Sequence, residues 1–171
     1  MKKFILAAII AVSGIFTAAN AQTFKFGNVD SQAIIAEMPE TKQAEKELEK
    51  LQGEYENQLA QMGEAFQQKY ADFQQKADSL PQAIAEERYQ ELQQMQQRIE
   101  NFQQTAARDV QQKQQQLLAP IFDKVAKAIE TVGEREGFTY IFQLAANSIS
   151  YFDPKTVVDV NPLVKKELGI K

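Results

Sequence analysis

From Leu48 onward the apolar or small residues recur at steps of 3, 4, 4, 3, 4, 4, 3 and 4, through Leu51, Tyr55, Leu59, Met62, Phe66, Tyr70 and Phe73 to Ala77. This spacing keeps one stripe on one side of a helix, and it predicts a single helix from about Thr41 to about Asp78. The unit is eleven residues, since Leu48, Leu59 and Tyr70 are equivalent, as are Tyr55, Phe66 and Ala77. Eleven residues over three turns favours a nearly straight or slightly right-handed helix pair. The stretch from Gln82 to Ala119 carries the same period in Ile84, Met95, Ala106 and Leu117, and again in Ile99, Val110 and Ile121. Tyr89, Leu92 and Phe102 fill its gaps less regularly. Between the two stretches lies Asp78-Ser79-Leu80-Pro81, with Pro81 expected at the first position of the second helix and Asp78 or Ser79 as its cap. Two long helices joined by so short a break make an antiparallel hairpin. Each arm would be about 57 Å long at 1.5 Å per residue, so the hairpin must project from the rest of the chain. Gly53 and Gly63 each cost a helix about 1 kcal/mol relative to Ala, and predict a bend or a close backbone approach there.

The flanks read differently. Thr23 to Asp30 alternates as a short strand, and Ser31 to Met38 fits one or two helical turns ended or redirected by Pro39. After the arms, Pro120 to Arg135 predicts a separate amphipathic helix, with Ile121, Val125, Ala128, Ile129 and Val132 on one face and Gly137 closing it. Phe138 to Leu144 and Ser148 to Phe152 read as two strands joined by a turn at Ala145 to Asn147. Asp153-Pro154 turns the chain, and Val160 to Leu168 reads as a terminal helix capped by Asn161 with Pro162 at its first position. The fold class is therefore α+β, mostly α. A coiled-coil-like hairpin over 41–118 is inserted into a small β-containing body built from 22–40 and 119–171. Both flanks must meet, because neither alone carries enough apolar surface for a core.

Composition narrows what such a shape can do. Met1-Lys2-Lys3, an apolar run from Phe4 to Phe16 and a small-residue exit at Ala19-Asn20-Ala21 predict a secretory signal peptide over 1–21, cleaved after Ala21. That run is too short to span a bilayer, which takes about 20 apolar residues. The remainder is expected in the periplasm, with 17 basic residues against 23 acidic ones. An acidic chain is a poor partner for nucleic acid, whose phosphates are bound by displacing counterions with Lys and Arg. The chain has no Cys, no His and no Trp. Without Cys and His there is no disulfide framework, thiolate nucleophile, Ser-His-Asp relay or ordinary zinc site. No phosphate-binding glycine loop is present to hold ATP. No cofactor, no metal and no catalytic residue is expected, and Glu86 and Glu87, adjacent on a helix, do not face each other for acid/base work.

The layout resembles the Skp/OmpH family of periplasmic chaperones over the whole chain after the signal. The stretch FKFGNVDSQAIIAEMPETKQAEKELEKL is similar to that family's N-terminal strand, short helix, Pro and charged arm. GFTYIFQLAANSISYFDPKTVVDVNPLVKKEL resembles its closing strands and helix. The resemblance implies a homotrimer whose bodies associate while three helical arms hang around a central cavity. It also implies that the cavity holds unfolded outer-membrane β-barrel proteins without ATP, before their insertion. The charge departs from that pattern. The arms hold 9 basic and 13 acidic residues, and 21 of the chain's 24 Gln. This speaks against lipopolysaccharide or anionic-membrane contact, and for apolar and Gln-mediated grip on clients.

On that reading Tyr55, Met62, Phe66, Tyr70, Phe73, Tyr89 and Phe102 are the candidate client-binding residues. Those on the repeat also fit the seam between the helices, which the spacing favours. Tyr89, one step off the repeat, and Phe73, near the tip, are the preferred cavity-facing pair. Phe24, Phe26, Val29, Ile121, Phe122, Val125, Phe142 and Tyr151 are the candidate oligomer interface, because a body of three or four strands is expected to share its core with other subunits. A structural spacer or adaptor of the cell envelope is the alternative function for the same hairpin.

Overall fold

Asp30 ends the first strand and starts the first helix by itself. Its carboxylate accepts the Ala33 N–H at 3.0 Å, the usual satisfaction of an orphan donor at a helix start. In a computed structural model that describes residues 24–144 and 149–170, this turn joins strand β1 (Phe26–Val29) to helix α1 (Ser31–Glu37). Met38 is extended, and Pro39 opens α2 (Pro39–Lys76), the first arm, two residues earlier than the periodicity marks it. A 3-10 turn at Ala77–Ser79 leads into α3 (Gln82–Glu136). Strands β2 (Tyr140–Gln143) and β3 (Val157–Asp159) and helix α4 (Asn161–Leu168) complete the chain. It is a mostly helical α+β protein with a long helical arm, the class its pattern predicts.

The sheet order is β2-β1-β3, and both neighbours run parallel to β1. The expected hairpin therefore does not form. Ile149 to Phe152 is not a strand, and the third strand lies later, at Val157–Asp159. The turn placed at Ala145 to Asn147, the start of that strand at Ser148 and the signal segment lie outside the described residues. Register puts Phe26, Tyr140 and Val157 on one face, and Gly27, Ile141 and Val158 on the other. On the second face Val29 and Ile141 pack on the helices, while Val158 on the edge strand stays exposed. Val29, Ile34, Met38, Ala44, Ile121, Val125, Ala128, Val132, Val160 and Val164 form a buried core there, drawn from both ends of the sequence. Both flanks thus meet in one core within the chain.

Several polar contacts tie the flanks together. Asn161 does not cap its own helix: its Oδ1 accepts the Asp30 N–H at 2.9 Å, while its Nδ2 donates to Asp159 at 2.7 Å. Lys25 Nζ donates to the Glu136 carbonyl at 2.8 Å and lies 4.1 Å from the Phe138 ring centroid, placing a cation on the negative end of α3. Gly137, at φ 69°, closes that helix with paired bonds from its own N–H to Glu134 and from Phe138 N–H to Gly133.

The largest departure from the sequence reading is at Pro120. It sits inside α3, a continuous helix of 55 residues, where a break was expected. The second arm and the body helix are one rod of about 80 Å at 1.5 Å per residue. Pro120 has no N–H to offer the Gln116 carbonyl, and its ring crowds the preceding turn. Pro120→Ala is therefore expected to stabilise the protein by about 1–3 kcal/mol, read as a higher thermal midpoint by circular dichroism. Two smaller readings are also corrected. Pro81 is the N-cap of α3 rather than its first residue, and Ser79 donates to the Lys76 carbonyl instead of capping. A Cβ added at Gly53 or Gly63 would meet nothing within 4 Å, so no backbone approaches closely at either.

Candidate functional site

Two helices packed along their length have no third layer to cover them. The arm shows the consequence. Leu92 and Ala106 are its buried apolar residues beyond the base, while Tyr55, Leu59, Met62, Phe66, Phe73, Met95, Ile99, Phe102 and Val110 are half-buried. Tyr70, Ile84 and Tyr89 are exposed, Tyr89 by 54%. Seam and open surface are therefore not alternatives. Tyr55 and Phe102 meet across the helix pair, and the half-buried rings keep part of their surface in solvent.

Three clefts follow from this. Near the tip, Phe66, Tyr70 and Phe73 of α2 and Ala77 of the 3-10 turn face Tyr89 and Leu92 of α3 across a cleft of about 720 Å³, with Gln74, Gln93 and Gln96 at its wall. Phe66 and Tyr70 stack one turn apart, with centroids at 6.0 Å. Higher on the arm, Tyr55 and Leu59 with Ala106, Ala107 and Val110 line a groove of about 500 Å³. Met62 lines a smaller one of about 170 Å³ with Met95 and Ile99. Phe102 lines none of these; it meets Tyr55 edge-on at 5.7 Å and acts in the seam. The glutamines of the tip cleft were not singled out from the sequence, although Gln93 and Gln96 lie four and seven residues beyond Tyr89, on its side of the helix.

Three ion pairs cross the seam among the described residues of the arm. Lys69 pairs with Glu91, Arg88 with Asp72 at 3.3 Å, and Lys113 with Glu47 at 3.4 Å. The hydrogen bond from Lys76, helped by the charges of Lys76 and Arg88, holds the Asp72 carboxyl below the usual range. Lys69 does the same to Glu91, and Lys124 to Glu40 at the base. The Tyr55 hydroxyl donates to Asp109 at 2.8 Å, which pushes its pKa up. Such exposed pairs each contribute little to stability. The lining of the tip cleft itself contains no ionisable group other than the Tyr70 and Tyr89 phenols.

The second exposed apolar surface is on the body. On the sheet face turned away from the core, Phe24, Phe26, Tyr140 and Phe142 stack in a row, with successive centroids 6.0–6.3 Å apart. Phe24 and Tyr140 are each 61% exposed, and Tyr151 is 83% exposed. Tyr151 joins Phe142, Ile149, Phe152 and Val157 around a small cleft of about 190 Å³. Phe122 is exposed on α3. The other candidates for an interface lie elsewhere: Val29, Ile121 and Val125 are buried in the chain's own core, out of a partner's reach. Tyr140 belongs to this row and was left out of the sequence-based set. Its signal was its alternation with Phe142 in FTYIFQL.

Among the described residues no cluster of Asp, Glu, His or Cys is arranged to hold a metal ion. No described helix is long and apolar enough to cross a membrane. No curated protein matches the sequence. A family model described as outer membrane protein (OmpH-like) matches residues 25–168, which takes in both flanks and the whole hairpin, and the chain belongs to that family.

Proposed function

We propose that this protein is an ATP-independent holdase of the periplasm, exported by a signal peptide cleaved after Ala21. It binds unfolded outer-membrane β-barrel proteins and keeps them from aggregating before insertion. The observation that carries the reading is the row of half-open aromatic clefts along a projecting hairpin, which offers apolar contact without a closed site. Membership in the OmpH-like family supports a role with outer-membrane proteins. Burying one exposed aromatic ring contributes about 1.5–3 kcal/mol, so several such contacts hold a chain while each remains easy to release. In this reading 41–118 is the gripping arm, and 22–40 with 119–171 is the body that gathers copies into a homotrimer. Phe66, Tyr70, Phe73 and Tyr89 make the first contacts with the client. Tyr55 and Met62 follow along the arm, and Phe102 supports Tyr55 from behind.

The test is aggregation itself. A urea-unfolded outer-membrane barrel is diluted into buffer with and without the protein, and light scattering is followed. Suppression near one trimer per client is expected, weakened severalfold in Tyr89→Ser, whose exposed position leaves the helix content unchanged. Unchanged scattering would make the hairpin a spacer instead.

A further inference from the structure

The tip cleft and the upper groove share part of their lining through the eleven-residue repeat. Tyr55 and Leu59 of the upper groove recur eleven residues later as Phe66 and Tyr70 at the tip. On α3, Gln103 and Ala107 stand eleven residues after Leu92 and Gln96. Eleven residues make three turns, so both helices present the two grooves on the same face of the hairpin. The Met62 cleft lies between them along the arm, lined also by Met95 and Ile99. The two linings are centred about 16 residues apart on α2 and about 14 on α3, which is about 21–25 Å at 1.5 Å per residue.

We infer that the two grooves together read the spacing of large apolar side chains along one extended client segment. This rests on the holdase reading above and adds what such a client must present. An extended chain rises about 3.3 Å per residue, so two side chains six or eight residues apart stand about 20–26 Å apart. The number is even because successive side chains of a strand alternate in direction, and both must face the arm. Charge selects the same occupant. The tip lining carries no carboxylate and no cation, and the upper lining carries a single carboxylate, Glu56, so an acidic segment would lose hydration there without gaining a partner. A transmembrane β-strand of about 9–11 residues, with an apolar face bounded by aromatic residues at both ends, has this form before it is paired.

The test uses short, unstructured, fluorescein-labelled peptides of one composition, each holding two phenylalanines. In one set they are separated by six or eight residues, in the other by two, which reaches only one groove. Fluorescence anisotropy with the purified protein is expected to give about tenfold tighter binding for the wide spacing, as the second contact becomes intramolecular. Tyr89→Ala opens the tip groove and Ala107→Lys blocks the upper one. Both positions are exposed, and either change is expected to bring the two peptide sets within about twofold of each other. Equal affinity for both spacings in the unmodified protein overturns the inference, as does an advantage that survives either substitution. If the protein suppresses barrel aggregation yet ignores spacing, this inference alone fails. If spacing matters but scattering is unchanged, the holdase reading fails and the paired grooves stand.

Discussion

Replacing Gly27 with valine is expected to cost the body about 3 kcal/mol or more and to remove its cooperative unfolding transition. Gly27 sits in the central strand, on the face that packs against the helices. A Cβ at this position would stand 2.9 Å from Val160 Cγ1 and 3.1 Å from the Phe138 ring. Neither neighbour has room to yield. Val160 is fully buried and gives its N–H to the Asn28 carbonyl, and Phe138 is held by the cap of α3 and by Lys25. Valine adds two further methyl groups to that clash. A domain's whole stability is only about 5–15 kcal/mol, so a strain of this size in so small a sheet is decisive. Near-ultraviolet circular dichroism on heating reads the loss, while much of the far-ultraviolet helical signal from the arms should persist. Gly27→Ala should show the same effect at reduced size. A melting curve for Gly27→Val that overlays the unmodified protein would mean that the sheet and α4 are not packed as described.

The contrast between Gly27 and Pro120 shows what the sequence carries plainly and what it hides. The arms were legible because an eleven-residue period over some forty positions has few structural solutions. Pro120 was misread because proline ends most helices by local chemistry. Here Leu117 and Leu118 on one side and Ile121, Val125 and Ala128 on the other pack against the core, and that packing carries the helix axis through one missing hydrogen bond. The third strand was misplaced for a related reason. Ile149 to Phe152 has the residue types of a strand, but β1 has room for only one more parallel neighbour, and Val157–Asp159 takes it just before Val160 enters the core. Such pairing is decided across about 130 residues of sequence, which no local propensity records. The arm aromatics divide by position: Phe102 packs edge-on against Tyr55, Phe66 and Phe73 are half-buried in the tip cleft, and Tyr89 stands 54% exposed at its rim.

Phe24→Ser, Tyr140→Ser and Phe142→Ser together are expected to turn the proposed oligomer into a monomer. The three rings lie on the outer face of the sheet, where they touch each other and Phe26 rather than the helices. The core on the opposite face, centred on Val29, Val132 and Val160, is untouched by their removal. If a partner covers them, each contributes about 1.5–3 kcal/mol to association. Losing all three weakens assembly by at least a thousandfold, at about 1.4 kcal/mol for each tenfold. Sedimentation across a dilution series separates the outcomes: the unmodified protein should stay assembled at micromolar concentration, and the triple variant should sediment as one chain with its thermal transition intact. A variant that remains assembled would move the interface to another exposed apolar residue, of which Phe122 on α3 is the first to substitute. The physical point is that a sheet apolar on both faces has one face too many for a single chain. The helices of this protein cover only the face that carries Gly27 and Val29, and leave the aromatic row to whatever else binds the body.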